Sequence, residues 1–372
     1  MPVKTYHVIG LLSGSSLDGT DLASLRFEVD LDDPRLLLAW SITDARTVPY
    51  PAAWIERLQQ LPQGSAKDLV LADTRLGHYY GALINEFIQS ARFKPDLISS
   101  HGHTIFHFPH LKTTTQIGDG AAIVSETHVD TVTQLRSVDV AYGAQGAPLA
   151  PLGDRFLFPG YTYYLNLGGI ANITTALDDQ TIAFDICTCN QIFNGLARTI
   201  GKEYDDNGAL AASGRVNTEL LHLLQSDEYH ERPYPKSLDN TWSQEHQVIP
   251  AIQYQDTIEN KLCTGAEFVA IEIAKVCAGL NKSQTTSPRT IFVTGGGAFN
   301  EYLISRMKYH CPDIQFVLPA KQIIEFKEVS FIGLAGLWRY LGIPNLYASV
   351  TGAPTDTING ALYLSSAQSR RT

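Results

Sequence analysis

Apolar residues along this chain come in short runs broken by turns rich in glycine, serine and aspartate. Residues 6–12 read as a strand, 13–19 as a polar turn, and 21–29 and 36–47 as second and third strands. Glycine and aspartate between two apolar runs predict a hairpin-like reversal, here with a loop longer than a tight two-residue turn. From 65 to 93 the spacing changes. Leu69, Ala72, Leu76, Tyr79, Leu83 and Phe87 recur every three or four residues, which predicts a helix. A short strand over 96–100 follows and ends in Ser100-His101-Gly102-His103-Thr104. A helix between two strands is the usual crossover of a parallel pairing.

The second half repeats the plan. Strands are predicted over 161–166, 171–176 and 181–186, with Gly168-Gly169 turning the first into the second. A helix over 265–280 points Phe268, Ile271, Ala274 and Cys277 or Ala278 inward, and a strand over 290–293 runs into Thr294-Gly295-Gly296-Gly297. The fold class expected is therefore α/β: two domains with a shared plan and a central cleft between them. The boundary is expected near 146–160, where glycine and proline cluster, giving domains over 1–150 and 151–364 and a polar, frayed tail over 365–372, with the C-terminal helix free to return to the first domain. Residues 225–260, with Pro233, Pro235 and Pro250, read as an irregular insertion.

Composition narrows the function. The 372 residues are 44% hydrophobic and 18% charged, enough for two cored domains. A net charge of -10 argues against a nucleic-acid partner, which would need a basic face, but leaves a nucleotide site open. The five cysteines, an odd number at irregular spacing, do not form a secreted disulfide framework. Cys187-Thr188-Cys189 lacks zinc-like spacing and reads as buried small residues. No stretch of about 18 apolar residues calls for a membrane partner, and no signal peptide is visible, so a cytoplasmic protein is expected.

Four segments carry candidate chemistry. In Gly14-Ser15-Ser16-Leu17-Asp18-Gly19-Thr20-Asp21, small residues let the backbone approach a phosphate, and successive N–H groups can form an anion nest. Asp18 and Asp21 need a cation between them and a phosphate, and Mg²⁺ held through water by Asp18 meets that need. A plain connecting turn would use the same residues for geometry. No Gly-Lys-Ser/Thr follows, and a strand rather than a helix comes next, so this is neither a Walker loop nor a dinucleotide fingerprint. Asp185, at a strand end in Phe184-Asp185-Ile186-Cys187-Thr188-Cys189-Asn190, is placed to act as a general base or to cap the next helix. The Gly168-Gly169 and Gly295-Gly296-Gly297 loops carry an entropic penalty that a ligand lying against the backbone would explain. His101, His103 and His107 read as loop histidines donating hydrogen bonds rather than as metal ligands.

Taken in order, these segments resemble the anhydro-N-acetylmuramic acid kinase family. The family loop G-x-M-S-G-T-S-x-D-G-x-D is similar to Gly10 through Asp21, S-H-G-Q-T to Ser100 through Thr104, and Q-I-G-D to Gln116 through Asp119. Arg136-Ser137-Val138-Asp139-Val140-Ala141, Gly143 through Pro151, Asn166 through Thr174, Gly295 through Asn300 and Lys327-Glu328 before the final helix complete the series. The resemblance implies two actin-like (ribonuclease H-like) domains with mixed sheets flanking a central cleft, ATP and Mg²⁺ as cofactors, a small-molecule sugar as partner, a homodimer, and a role in peptidoglycan recycling. It implies nucleotide contacts at Gly14, Ser15, Ser16, Leu17, Asp18, Gly19, Thr20, Asp21, Gly168, Gly169, Gly295, Gly296 and Gly297. Sugar contacts would fall at His101, Thr104, Gln116, Arg136, Asn190 and Glu328, with Asp185 as the base. The chain departs from the family where F-D-T-G-P-x-N becomes the Phe184–Asn190 stretch, where an aspartate becomes Asn194 and another Gln134, and at Leu238-Asp239-Asn240. Those departures keep two other readings in view: a kinase of another sugar, or an actin-like sensor that binds nucleotide without turnover.

Overall fold

The computed structural model describes residues 2–14, 17–91, 93–177, 180–234, 236–280 and 288–366. Twelve strands among these are β1 (Val3–Ser13), β2 (Gly19–Asp30), β3 (Leu37–Pro49), β4 (Leu97–Phe108), β5 (Thr113–Ile117), β6 (Thr131–Thr133), β7 (Tyr163–Leu167), β8 (Ile170–Leu177), β9 (Gln180–Thr188), β10 (Arg289–Thr294), β11 (Ile314–Val317) and β12 (Ala361–Tyr363). The chain divides into two compact units. One joins Met1–Pro159 to Phe326–Thr372, and the other is Gly160–Glu325.

In the first unit the sheet runs β12-β6-β4-β1-β2-β3, with β5 paired to the far half of β4. β1, β2 and β3 form an antiparallel meander, while β4 and β6 add in parallel. β1 and β2 are apolar on both faces because both are covered. Ile9, Leu11 and Leu22 pack on Ala72, Leu76, Tyr80 and Ile84 of helix Ala66–Ala91. The opposite face meets helix Lys321–Leu341. There a Cβ at Gly10 would lie 2.4 Å from the Val329 carbonyl oxygen, so only glycine allows this approach.

In the second unit the sheet runs β11-β10-β7-β8-β9. β7 to β9 are an antiparallel meander, and β10 and β11 add in parallel. Leu165, Ile173 and Val293 share a core with Phe268, Val269 and Ile273 of helix Ile258–Leu280. Numbered within its unit and setting β5 and β12 aside, each sheet has the order third, second, first, fourth, fifth. This repeated mixed sheet is the actin-like α/β plan expected from the sequence.

Several element ends differ from the sequence expectation. β4 does not stop at Ser100 but continues to Phe108, so His101, His103 and His107 lie on a strand, not a loop. The antiparallel partner β5 supplies the backbone bonds that keep it extended. β9 continues past Ile186 to Thr188, and Cys189, not Asp185, occupies the N-cap position of helix Asn190–Arg198. Much of 225–260 is helical rather than irregular: Asn240–Ser243, a π-helical Gln244–Val248 and Ile249–Gln253 follow one another. Asp239 starts this run by accepting the Trp242 N–H, and Pro250 is tolerated in the first turn of its last segment. Pro235 lies outside the described residues. Lys327 and Glu328 lie within helix Lys321–Leu341, just after Phe326 leaves helical geometry at φ -116°, ψ 17°. Ser365 is buried and its N–H donates to Asp130, so the tail is still anchored there. Residues 367–372 lie outside the description. No described helix is long and apolar enough to cross a membrane.

Candidate active site

Each unit carries part of the candidate machinery. In the first, the Gly14–Asp21 loop joins β1 to β2, with Leu17 at φ 59° in the left-handed region. Ser15 and Ser16 lie outside the described residues. Gly19 must be small because a Cβ would lie 2.5 Å from the Val48 carbonyl oxygen. Asp21 accepts a 2.5 Å bond from the Thr47 hydroxyl. Burial raises its pKa, and the charges of Asp18 and Glu328 add to the rise against the Thr47 bond. Three carboxylates thus share one electrostatic neighbourhood.

The β4–β5 pairing builds the neighbouring surface. Gly102 has φ 71°, and a Cβ there would lie 2.4 Å from the Ile117 carbonyl oxygen. Glycine therefore lets β5 close on β4 and sets Gln116 beside Thr104. Gln116 Nε2 donates to Thr114 Oγ1 at 2.7 Å and lies 3.4 Å from Thr104 Oγ1, while its Oε1 is buried with no hydrogen-bond partner among the described residues. Arg136 Nε donates to His101 Nε2 at 2.9 Å. An arginine only donates, so His101 Nε2 is unprotonated and Nδ1–H faces the Gly102 carbonyl oxygen at 3.2 Å. Burial, followed by the Arg136 charge, lowers the His101 pKa to about 3, which keeps the ring neutral. Glu328 is exposed, and its charge helps keep Arg136 protonated against burial. His101, Arg136, Gln116 and Thr104 thus lie together on this unit, and Glu328 links them by charge, through Arg136, to Asp21.

In the second unit, Asp185 sits on β9 opposite Asn172, at a bulge between Ala171 and Asn172. The segment after Tyr229 holds it. Leu238 N–H donates to Asp185 Oδ2 at 2.9 Å, the Tyr229 hydroxyl donates to the Asp185 carbonyl at 2.8 Å, and Asp185 N–H donates to the Lys236 carbonyl at 3.3 Å. Lys236 Nζ in turn donates to the Tyr229 and His230 carbonyls. Asp185 Oδ1 makes no hydrogen bond among the described residues. Burial raises the Asp185 pKa, opposed by the Leu238 bond. This is a partly dehydrated carboxylate with one oxygen anchored and one available, the arrangement a general base needs.

Beyond Asp185, Gln247 fixes the strand end. Its Oε1 accepts the buried Thr188 N–H at 3.1 Å, and its Nε2 donates to the Leu224 carbonyl at 3.2 Å. The Gly168 and Gly169 carbonyls accept from Cys189, Asn190 and Gln191, which locks the β7–β8 turn to the helix start. Gly295 has φ 81°, and a Cβ there would lie 2.7 Å from the Leu167 carbonyl oxygen. Gly296, Gly297, Asn190, Asn194, Phe193 and Asn300 line a cavity of about 520 Å³ with Tyr204, Asp205, Asp206, Asn207 and Phe299. That volume suits a nucleoside-sized ligand. Asn190, expected beside the sugar, therefore sits with the glycines expected at the nucleotide, and its Nδ2 donates to the Leu167 carbonyl. All five cysteines are buried thiols.

Tyr229, Lys236 and Gln247 escaped the sequence reading, which met Leu238 only as a departure from the family pattern. They lie 44 to 62 residues from Asp185 or closer only to one another, in a stretch with no periodic pattern, and no local signal marks them.

Two sheets of the same order, each with a glycine loop beside its first strand, define an actin-like α/β protein. A family profile described as anhydro-N-acetylmuramic acid kinase matches residues 6–365. The anhydro-N-acetylmuramic acid kinase of Shewanella loihica is 31% identical, covering 97% of this chain and 99% of its own. Those of Pasteurella multocida and Coxiella burnetii (strain Dugway 5J108-111) are each 32% identical, covering 98% of this chain and 98% of their own. The chain belongs to the anhydro-N-acetylmuramic acid kinase family.

Proposed function

We propose that this chain uses ATP to convert 1,6-anhydro-N-acetylmuramic acid to N-acetylmuramic acid 6-phosphate, in cell-wall recycling. The observation that carries the reading is the half-buried Asp185, with Oδ2 anchored on Leu238 and Oδ1 available. Asp185 takes a proton from the water that attacks the anomeric carbon. The bond from that carbon to O6 breaks, and O6 takes the γ-phosphoryl group as ADP leaves. Gln116 Oε1, buried and without a partner among the described residues, is an acceptor suited to a sugar hydroxyl. Arg136, kept cationic beside a neutral His101, is suited to a carboxylate. The Gly14–Asp21 loop and the Gly295–Gly297 loop are assigned to the nucleotide. Mg²⁺ bound with it would be held through water by Asp18, with Asp21 and Glu328 nearby, and would neutralise phosphate charge.

The test is to incubate the protein with Mg-ATP and the anhydro sugar and to look for the 6-phosphate by mass spectrometry. Turnover of ordinary hexoses alone would point to a kinase of another sugar. Nucleotide binding without turnover of any sugar would point to the sensor reading.

A further inference from the structure

A buried chain of hydroxyls runs through the first unit to a histidine that has no role so far. The Tyr80 and Tyr50 hydroxyl oxygens lie 2.7 Å apart, Tyr50 donates to Ser13 Oγ at 2.8 Å, and Ser13 Oγ lies 2.8 Å from His103 Nδ1. Tyr80, Tyr50, Ser13 and His103 are all buried. Ser13 and His103 pair across β1 and β4, and Ser13 directly precedes Gly14 of the phosphate loop.

The chain has a direction. Tyr50 has one proton and gives it to Ser13, so the proton between the two tyrosines comes from Tyr80. Ser13 then has one proton left, and of its two remaining neighbours, His103 Nδ1 at 2.8 Å and the Tyr80 oxygen, the imidazole nitrogen is the stronger acceptor. If Nδ1 carried a proton, the Ser13 hydroxyl would face two donors and leave its own proton to the weaker phenolic oxygen of Tyr80. Nδ1 is therefore the acceptor, and the ring proton sits on Nε2.

We propose that His103 presents a fixed Nε2–H donor to an acceptor oxygen of a bound substrate, and that Ser13, Tyr50 and Tyr80 are positioning residues that set its tautomer. Nε2 makes no hydrogen bond among the described residues, and the Ser13 partner of the ring directly precedes the loop assigned to phosphate. A donor at that place takes an oxygen lone pair, which either a phosphoryl group or the sugar supplies. Burial lowers the His103 pKa, so the ring stays neutral at neutral pH and acts as a directional donor rather than as a charge. This inference rests on the kinase reading for its substrates, but the tautomer does not.

Two readouts test it on the full-length protein. Two-bond ¹H–¹⁵N spectra of histidine report the tautomer directly. The wild type should show His103 as Nε2–H, with that nitrogen shifting on addition of Mg-ATP or of the anhydro sugar, and Tyr50→Phe should bring in the Nδ1–H form. In kinetics, His103→Leu should lower kcat/KM by about 10- to 100-fold, seen in KM for ATP if the acceptor is phosphoryl and in KM for the sugar otherwise. His103→Gln should stay within about threefold of wild type, because glutamine keeps both an acceptor for Ser13 and an N–H donor. An Nδ1–H wild-type ring, or a His103→Leu enzyme within about twofold of wild type, would overturn the proposal. If the wild type turns over no sugar, the kinase reading falls. A nucleotide-induced shift at Nε2 would still uphold the donor, and no shift with either ligand would sink it.

Discussion

At the scale of single residues, the base role proposed for Asp185 rests on how its surroundings hold it. Burial raises its pKa, so the acid limb of kcat/KM should lie above the ordinary aspartate value of about 3.9. The base works deprotonated, so activity falls as the pH drops through that raised value. Asp185→Asn should remove turnover at every pH while leaving ATP affinity nearly unchanged, which calorimetry can check. Retained turnover would remove Asp185 from the mechanism. Tyr229→Phe deletes one hydroxyl bond to the Asp185 backbone and should lower kcat about three- to tenfold with little change in KM for ATP. Asp185 was legible as a carboxylate in an apolar run, although β9 does not end there but carries on to Thr188. Its supports were not. Leu238 contributes a backbone N–H, which any residue but proline could supply, and Ser13 meets Tyr50, Tyr80 and His103 only once three elements have packed.

At the scale of elements, chain reversals forced by glycine were legible and strand lengths were not. Gly168-Gly169 and Gly295 stand at the turns their composition predicted. β4 and β9 outran their predicted ends because pairing with β5 and β8 keeps polar residues extended. In helix Ala66–Ala91 the buried stripe is turned slightly from the predicted one, with Tyr80 and Ile84 inward and Tyr79 and Leu83 beside it. Gly295→Ala would place a methyl 2.7 Å from a carbonyl at positive φ. That variant should lose nucleotide affinity by about tenfold or more while Asp185 stays in place, measurable by titration with an ATP analogue.

The buried Asp154 and Lys327 tie helix Ala150–Leu157 to helix Lys321–Leu341 across 3.7 Å, beyond hydrogen-bond reach. Burial raises the Asp154 pKa to about 6 against the opposing pull of Lys327. The folded state therefore holds a proton that the unfolded chain releases from about pH 4 upward. The stability this group contributes is full below that value and is lost as the pH rises to about 6, by roughly 3 kcal/mol. Denaturant titrations between pH 4.5 and 7 should show that slope in the wild type and a flatter one in Asp154→Asn, at about those pH values.

At the scale of the whole molecule, the second unit is an insertion in the first, leaving after Pro159 and returning at Phe326. The repeated strand order was legible as a repeated pattern of apolar runs and turns. The return of the chain end was only partly so, because β12 has three residues and its pairing with β6 leaves no periodic trace. Asp139, in the first stretch of the unit, is the buried anchor for the returning segment. It accepts from Gly146 N–H, Thr351 and Thr357, and its own N–H donates to Asn359. A fragment of residues 160–325 has its own sheet and core and should melt cooperatively by circular dichroism. A fragment of residues 1–159 lacks the helix over β1 and three of the partners of Asp139, and should not melt cooperatively until 326–372 is supplied. Cooperative melting of 1–159 alone would contradict this.

The same insertion sets an order of events on the ribosome. β1 to β6 emerge first, but the helix and strand that cover and extend their sheet are translated last. At about 5–20 residues per second, the face around Gly10 waits on the order of ten seconds or more for its partner. The inserted unit can complete its own sheet in that interval, so the unit that begins the chain is the one that finishes folding last.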